Sequence, residues 1–153
     1  MENKKIKNAT PNEYDGIQFK SITEVMVYKT LLQYGFKPEY ESTTYRLFKG
    51  IKPTIPFYAP NKKGELKMNN TKLIDITYTP DFVFKAPDNK TVIIFEVKGF
   101  QNDTYPIKEK MFRTYLEEMY RIGSVPSMFF KIKTKKQCLE AINIIKQTFN
   151  GKD

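Results

Sequence analysis

The sequence contains one strongly strand-like segment, Thr91-Val92-Ile93-Ile94-Phe95-Glu96-Val97-Lys98. Its apolar residues alternate toward both faces of a sheet, which is typical of a central strand that is buried on both sides. The segment from Leu73 to Phe84 is a second predicted strand, interrupted near Pro80. Because only the turn-like Ala86-Pro87-Asp88-Asn89 separates the two segments, we expect them to form an antiparallel hairpin.

Three helices are predicted around these strands. The first is expected over about 21–34, the second over about 103–121 and the third after Thr134, each from helical spacing of apolar residues or from a capping pattern. A further strand over 127–132 separates the last two helices. The order helix, strands, helix, strand, helix predicts a layered α/β domain with a mixed sheet.

The chain of 153 residues is long enough for one core. Residues 1–18 are polar and without periodicity, so they are expected to form a flexible basic N-terminal arm, and residues 19–150 a single domain. Residues 52–60 contain three prolines and are expected to be an extended edge or bridge. The lysine-rich residues 61–70 are expected to form a loop.

Composition narrows the possible functions. Lys and Arg number 26 against 17 Asp and Glu, and a net charge of +9 favours a polyanionic partner such as nucleic acid. Without histidine and with one cysteine, the chain has no Ser-His-Asp triad, no histidine-ligated or cysteine-rich zinc site and no intramolecular disulfide. Any metal must therefore bind oxygen ligands, which suits Mg²⁺ or Mn²⁺. Since no apolar run approaches the roughly 18 residues of a membrane span, a soluble cytoplasmic protein is expected.

Two short motifs place acidic and basic groups at the predicted hairpin: Thr79-Pro80-Asp81-Phe82 and Glu96-Val97-Lys98-Gly99. Strand alternation directs Glu96 and Lys98 to one face, and the hairpin can bring Asp81 to the same end of the sheet. A divalent cation would relieve the repulsion between Asp81 and Glu96, and the Val97 carbonyl could add a third oxygen ligand. For phosphodiester hydrolysis, Lys98 would orient or deprotonate water and balance the transition-state charge.

Pro-Asp followed by Glu-x-Lys resembles the PD-(D/E)XK, or restriction-endonuclease-like, nuclease superfamily. Over about residues 19–120 the motif order is similar to that of the endonuclease I family of phage Holliday-junction resolvases, through the following segments: Phe19-Lys20-Ser21-Ile22-Thr23-Glu24, Gly35-Phe36-Lys37-Pro38-Glu39-Tyr40-Glu41, Tyr78-Thr79-Pro80-Asp81-Phe82 and Glu96-Val97-Lys98-Gly99. The resemblance implies an αβββαβα core and a Mg²⁺-dependent endodeoxyribonuclease in which Mn²⁺ substitutes. It implies catalytic roles for Glu24, Asp81, Glu96 and Lys98, with Glu24 completing the metal site.

The resemblance also implies a substrate and an assembly. The substrate would be branched DNA such as a Holliday junction, in phage recombination or replication within a phage-infected or prophage-carrying bacterial host. The assembly would be a homodimer that exchanges segments through residues 52–60. Two alternatives remain open: a restriction-like or nicking nuclease without junction preference, and a non-catalytic DNA-binding protein on the same fold.

Several candidate residues also have a purely structural interpretation. Glu24 falls at the third helical position of the capping box that starts at Ser21, where glutamate is common. The predicted DNA contacts rest on charge and position, and a solvated surface explains each of them nearly as well: Lys62, Lys63 and Lys67 in the basic loop, and Lys108, Lys110 and Arg113 on the second helix.

Overall fold

The computed structural model describes residues 12–98 and 104–150. The helices in these ranges are α1 (Ile22–Gln33), α2 (Tyr105–Arg121) and α3 (Lys135–Phe149). The strands are β1 (Glu13–Tyr14), β2 (Ile17–Gln18), β3 (Glu39–Tyr40), β4 (Tyr45–Phe48), β5 (Tyr58–Pro60), β6 (Leu66–Met68), β7 (Ile76–Tyr78), β8 (Phe82–Lys85), β9 (Val92–Val97) and β10 (Ser127–Ile132). Across these ranges no helix has the length and apolar character that a membrane crossing requires.

A four-stranded mixed sheet occupies the centre, in the order β10-β9-β8-β3. Strands β8 and β9 pair antiparallel with Phe82 opposite Phe95, and β10 runs parallel to β9 with Phe130 opposite Phe95. The α/β class, the mixed sheet and the hairpin with its break before Phe82 are therefore confirmed. Around this sheet the chain follows the order α1, β3, β8, β9, α2, β10, α3.

Strand β9 is buried on both faces, as its apolar run predicts. Ile93, Phe95 and Val97 belong to one core cluster, which also contains residues of α1 and α3. Ile94 points the other way into a second cluster, with Tyr78 and with Phe112 of α2. Helices thus cover both faces of the sheet, and the residues that continue the Ile94 side of β9 are directed toward α2.

The helix boundaries follow the capping residues. Ser21 Oγ accepts a hydrogen bond from the Glu24 N–H at 3.1 Å, and Gly35 ends α1 with a φ of +87° that favours glycine. The capping box at the start of α3 is complete, with Thr134 and Gln137 bonding reciprocally. On α1, however, Ile22 is 70% exposed, so the apolar face of that helix is narrower than its sequence suggests.

Residues 12–18, expected as part of a flexible arm, instead form the β1–β2 hairpin. Asp15 and Gly16 have φ values of 55° and 75°, which is the geometry of a tight hairpin turn. The Tyr28 hydroxyl donates to Asp15 Oδ2 at 3.0 Å and fastens the hairpin to α1. The other residues of the predicted arm, 1–11, lie outside the described residues.

The segment between β3 and β8 forms two small antiparallel sheets, β4 with β7 and β5 with β6. The extended character expected for 52–60 holds at β5, which pairs with part of the predicted basic loop, Leu66–Met68. That pairing was not anticipated, because the short β6 is exposed along its whole length and has no buried apolar face.

Candidate active site

The two motif acids lie at one end of the β8–β9 hairpin. Asp81 directly precedes β8, and Glu96 is the second-last residue of β9. Since Phe82 pairs with Phe95, the next position outward places Asp81 alongside Glu96. The Val97 N–H donates to Asp81 Oδ2 at 2.6 Å, which fixes the Asp81 carboxylate against β9. The structure therefore brings together the two acids that the motif spacing suggested.

Burial makes these carboxylates hard to ionise. Burial and then the negative charge of Glu96 raise the pKa of Asp81 to about 8, although the Val97 N–H acts in the opposite direction. The pKa of Glu96 is also raised, chiefly by burial, while the Tyr78 hydroxyl and Lys98 partly compensate. A cation placed between the two groups would remove this penalty. The pair is thus electrostatically suited to bind one.

Strand alternation orders the Glu-x-Lys residues as expected. Val97 packs into the core, while Glu96 and Lys98 face a cleft on the α2 side. The Tyr78 hydroxyl donates a short hydrogen bond to Glu96 Oε2. Lys98 Nζ lies 3.3 Å from the ring centroid of Tyr105, a cation–π contact, and burial lowers the pKa of Lys98.

Glu24 is buried and plays a different local role from the one its motif suggests. Its Oε2 accepts from the Tyr40 hydroxyl at 2.6 Å and from the Lys20 N–H at 3.1 Å, rather than from the Ser21 N–H of a regular capping box. Its charge nevertheless raises the pKa of both Asp81 and Glu96, so it belongs to the same acidic neighbourhood.

Within residues 12–98 and 104–150 there is no group of three or more Asp, Glu or Cys that could hold a metal ion. Asp81 and Glu96 therefore form a two-carboxylate set, and metal ligation by Glu24 or by the Val97 carbonyl stays a prediction. Two carboxylates are sufficient for Mg²⁺, which usually keeps several of its water ligands.

The cleft beside Glu96 has a volume of about 460 Å³. Of the predicted DNA contacts, Lys108 lines it. Arg113 lines a separate groove with Glu109 and Lys131, and Lys110 lines a third depression beside Leu47. The basic-loop residues lie on or beside the exposed β5–β6 hairpin and do not line the cleft: Lys62, Lys63 and Lys67.

Sequence reasoning missed the residues that hold the acids in place. Tyr40 and Tyr78 each donate their hydroxyl to a motif carboxylate, and Tyr105 lies under the Lys98 ammonium. Lys20 lines the cleft and pairs with Glu41 at 2.7 Å. Hydrogen bonding to Glu41 raises the pKa of Lys20, and the charges of Glu24 and Asp81 contribute to the same shift. Adjacency to the motifs was the only available signal for these residues.

Replacing Tyr78 by Phe is expected to weaken divalent-cation binding about tenfold, the lower end of the range for residues that orient metal ligands. The ring and its packing are retained, but Glu96 Oε2 loses its hydrogen-bond donor. Calorimetric titration with Mn²⁺ measures the effect. Tyr45→Phe is the matched control, since its ring packs against the same Phe112. Equal Mn²⁺ affinity of Tyr78→Phe and wild type would contradict an orienting role.

Comparison with known proteins gives a family without an assigned activity. Searches of curated proteins and of solved structures found no match to the chain. Residues 4–132 match the model of a family described as "Protein of unknown function (DUF1064)". Because this match covers most of the 153 residues, the chain belongs to the DUF1064 family.

Proposed function

We propose that this protein is a divalent-metal-dependent DNA endonuclease of the PD-(D/E)XK type, with its catalytic domain in residues 19–150. The observation that carries the proposal is the pairing of Asp81 and Glu96 at one sheet end, half-buried and mutually repelling, with Lys98 adjacent. Raising the pKa of neighbouring acids in a cleft is costly to the fold, and such arrangements are concentrated at functional sites.

The donor set fits Mg²⁺ or Mn²⁺. Asp81 and Glu96 each use one oxygen in a hydrogen bond, Oδ2 and Oε2, and in the described part of the chain their other oxygens accept none. Those free oxygens would be the cation ligands. A bound cation would supply Lewis-acid polarisation of the phosphoryl oxygen and a more acidic water.

Lys98 has the position required of the third motif residue. Its ammonium shares the cleft with Glu96, and burial lowers its pKa. A Lys held in this way would donate hydrogen bonds to the attacking water or to a phosphate oxygen as charge develops on the phosphorus. Tyr105, whose ring the ammonium touches, limits the conformations of the Lys98 side chain.

The fold and the charge distribution support the same proposal. The order α1, β3, β8, β9, α2, β10, α3 agrees with the αβββαβα core expected of this superfamily. The net charge of +9 favours DNA as partner, and Lys108 extends positive charge along the cleft.

Branched DNA is the proposed substrate, and a homodimer the proposed assembly, because paired incisions across a junction need two sites. Junction selectivity rests on the motif order alone. The homodimer gains support from the apolar side chains that the segment between β4 and β8 leaves strongly exposed, namely Ile55 at 82%, Ile74 at 80% and Leu66 at 70%.

The test compares cleavage of a four-way junction, a fork, linear duplex and single-stranded DNA in Mg²⁺ and Mn²⁺. Faster cleavage of the branched substrates supports the full proposal, whereas equal rates on duplex and junction indicate a restriction-like or nicking enzyme. Salt-sensitive DNA binding without hydrolysis in either metal would favour a non-catalytic DNA-binding protein. Cleavage unchanged in Asp81→Ala would exclude the proposed site.

A further inference from the structure

Lys20 is a cation at the acidic centre to which the proposed reaction gives no role. It lies between β2 and α1 and lines the same cleft as Glu96 and Lys98. Its side chain is 73% exposed, yet Nζ lies 2.7 Å from Glu41 Oε1. The ammonium is therefore positioned by an ion pair rather than by packing.

The backbone of Lys20 is fixed independently of its side chain. Its N–H lies within hydrogen-bonding distance of Glu24 Oε2 at 3.1 Å and of the Tyr40 hydroxyl oxygen at 3.2 Å. Tyr40 in turn donates to the same Glu24 oxygen. This closed network holds the Cα of Lys20 at the rim of the cleft, while the exposed side chain can exchange one ionic partner for another.

The partner of Lys20, Glu41, is itself tied to the acidic centre. Its N–H donates to the Asp81 carbonyl oxygen at 2.9 Å. Glu41 also has a φ of +47°, a conformation that non-glycine residues rarely adopt and that is enriched at functional sites. Its negative charge contributes to the raised pKa of Asp81. The Lys20–Glu41 pair is therefore part of the surroundings of Asp81.

We propose that Lys20 is a resident cation of the metal-free acidic centre and that it leaves Glu41 to bind a DNA phosphate when substrate and metal enter. The inference rests on the proposed function, since it names the ligand of Lys20 as the phosphodiester backbone. An exposed ion pair is weak, so its exchange for a phosphate is readily reversible. A divalent cation would repel the Lys20 ammonium, and a phosphate in the cleft would attract it.

The proposal gives Lys20→Gln two effects of opposite sign. In the absence of DNA, Mg²⁺ should bind about threefold more tightly, because a positive charge near the carboxylates is removed. With Ca²⁺ in place of Mg²⁺, binding of a labelled four-way junction should weaken about fivefold, and the slope of log Kd against log salt should fall by about one. Calorimetry measures the first effect and fluorescence anisotropy the second.

Two variants provide the controls. Lys85→Gln removes the same charge from an exposed lysine at the opposite end of β8, so both affinities should stay at wild-type values. Lys20→Arg keeps the charge and should restore both affinities. The N–H of residue 20, which holds Glu24, is present in all of these proteins.

The outcomes separate this inference from the nuclease proposal. If Lys20→Gln leaves either affinity unchanged or shifts it in the other direction, the inference is overturned, even where wild type cleaves DNA. If both shifts occur in a protein that hydrolyses no DNA, Lys20 binds phosphate as inferred and the nuclease proposal fails. If wild type binds neither Mg²⁺ nor DNA, both fail.

Discussion

Asp81→Asn is expected to lower metal-dependent DNA cleavage by at least about 10³-fold, the largest effect of any single conservative change in this chain. The amide oxygen can still accept the Val97 N–H, but the negative charge needed to hold a cation beside Glu96 is lost. Cleavage rates measured across a Mg²⁺ titration at saturating DNA check the result.

The control for this change is Asp75→Asn. Asp75 Oδ1 also accepts a backbone hydrogen bond, from Gly50 at 2.8 Å, and an amide preserves that bond. Asp75 lies outside the cleft lining, so its variant should cleave DNA at the wild-type rate. A comparable loss of activity in both variants would mean that the Asp81 effect reflects general destabilisation.

The same Asp81→Asn change should stabilise the metal-free protein. The pKa of Asp81 rises from an ordinary value of 3.8 to about 8 in the folded state, so the folded state binds the proton more tightly than the unfolded state does. The contribution of Asp81 to stability is therefore greatest below about pH 4 and declines as the pH rises toward 8. Asn does not ionise and avoids this loss.

The expected gain in unfolding free energy is about 2 kcal/mol or more at pH 8, since each unit of pKa shift corresponds to about 1.4 kcal/mol. It should shrink as the pH approaches 4, and Mg²⁺ should stabilise wild type but not the variant. Urea unfolding in EDTA at several pH values measures it. A destabilised Asp81→Asn protein at pH 8 would contradict the electrostatic account of this site.

Lys98→Gln is expected to have the second-largest effect, a loss of about 10²-fold in kcat with little change in KM. Its ammonium is held on the Tyr105 ring beside Glu96, where it would stabilise charge that develops only in the transition state. Steady-state kinetics separate the two constants. Lys108→Gln is the comparison, because a lysine that contacts only the DNA backbone should change KM rather than kcat. The reverse pattern would assign Lys98 to binding alone.

Local sequence signals predicted the elements that build the site. Ser21, Thr134 and the glycines after α1 and α2 act within one or two helical turns, so the helix boundaries follow from short patterns. The apolar alternation of β9 likewise determined which of its residues face the cleft, and with the turn at 86–89 it determined the hairpin.

Contacts between segments distant in sequence were not predictable in this way. Tyr40 reaches Glu24 from sixteen residues away, and Tyr78 reaches Glu96 from eighteen, so neither bond leaves a local pattern. The exposed strands β4 to β6 lack a buried face, and periodicity therefore did not identify them. The β1–β2 hairpin did carry a signal, the Asp15-Gly16 turn, but the polar composition around it favoured a flexible arm.

Single-turnover cleavage of a labelled four-way junction, by wild type and by Glu96→Gln, tests the metal-dependent nuclease proposal most directly. The acidic pair predicts strand cleavage by wild type in Mg²⁺, none in EDTA, and a loss of at least about 10³-fold in Glu96→Gln at equal DNA occupancy. Cleavage that persists in Glu96→Gln, or a wild-type protein that binds the junction and cleaves it in neither Mg²⁺ nor Mn²⁺, would contradict the proposal.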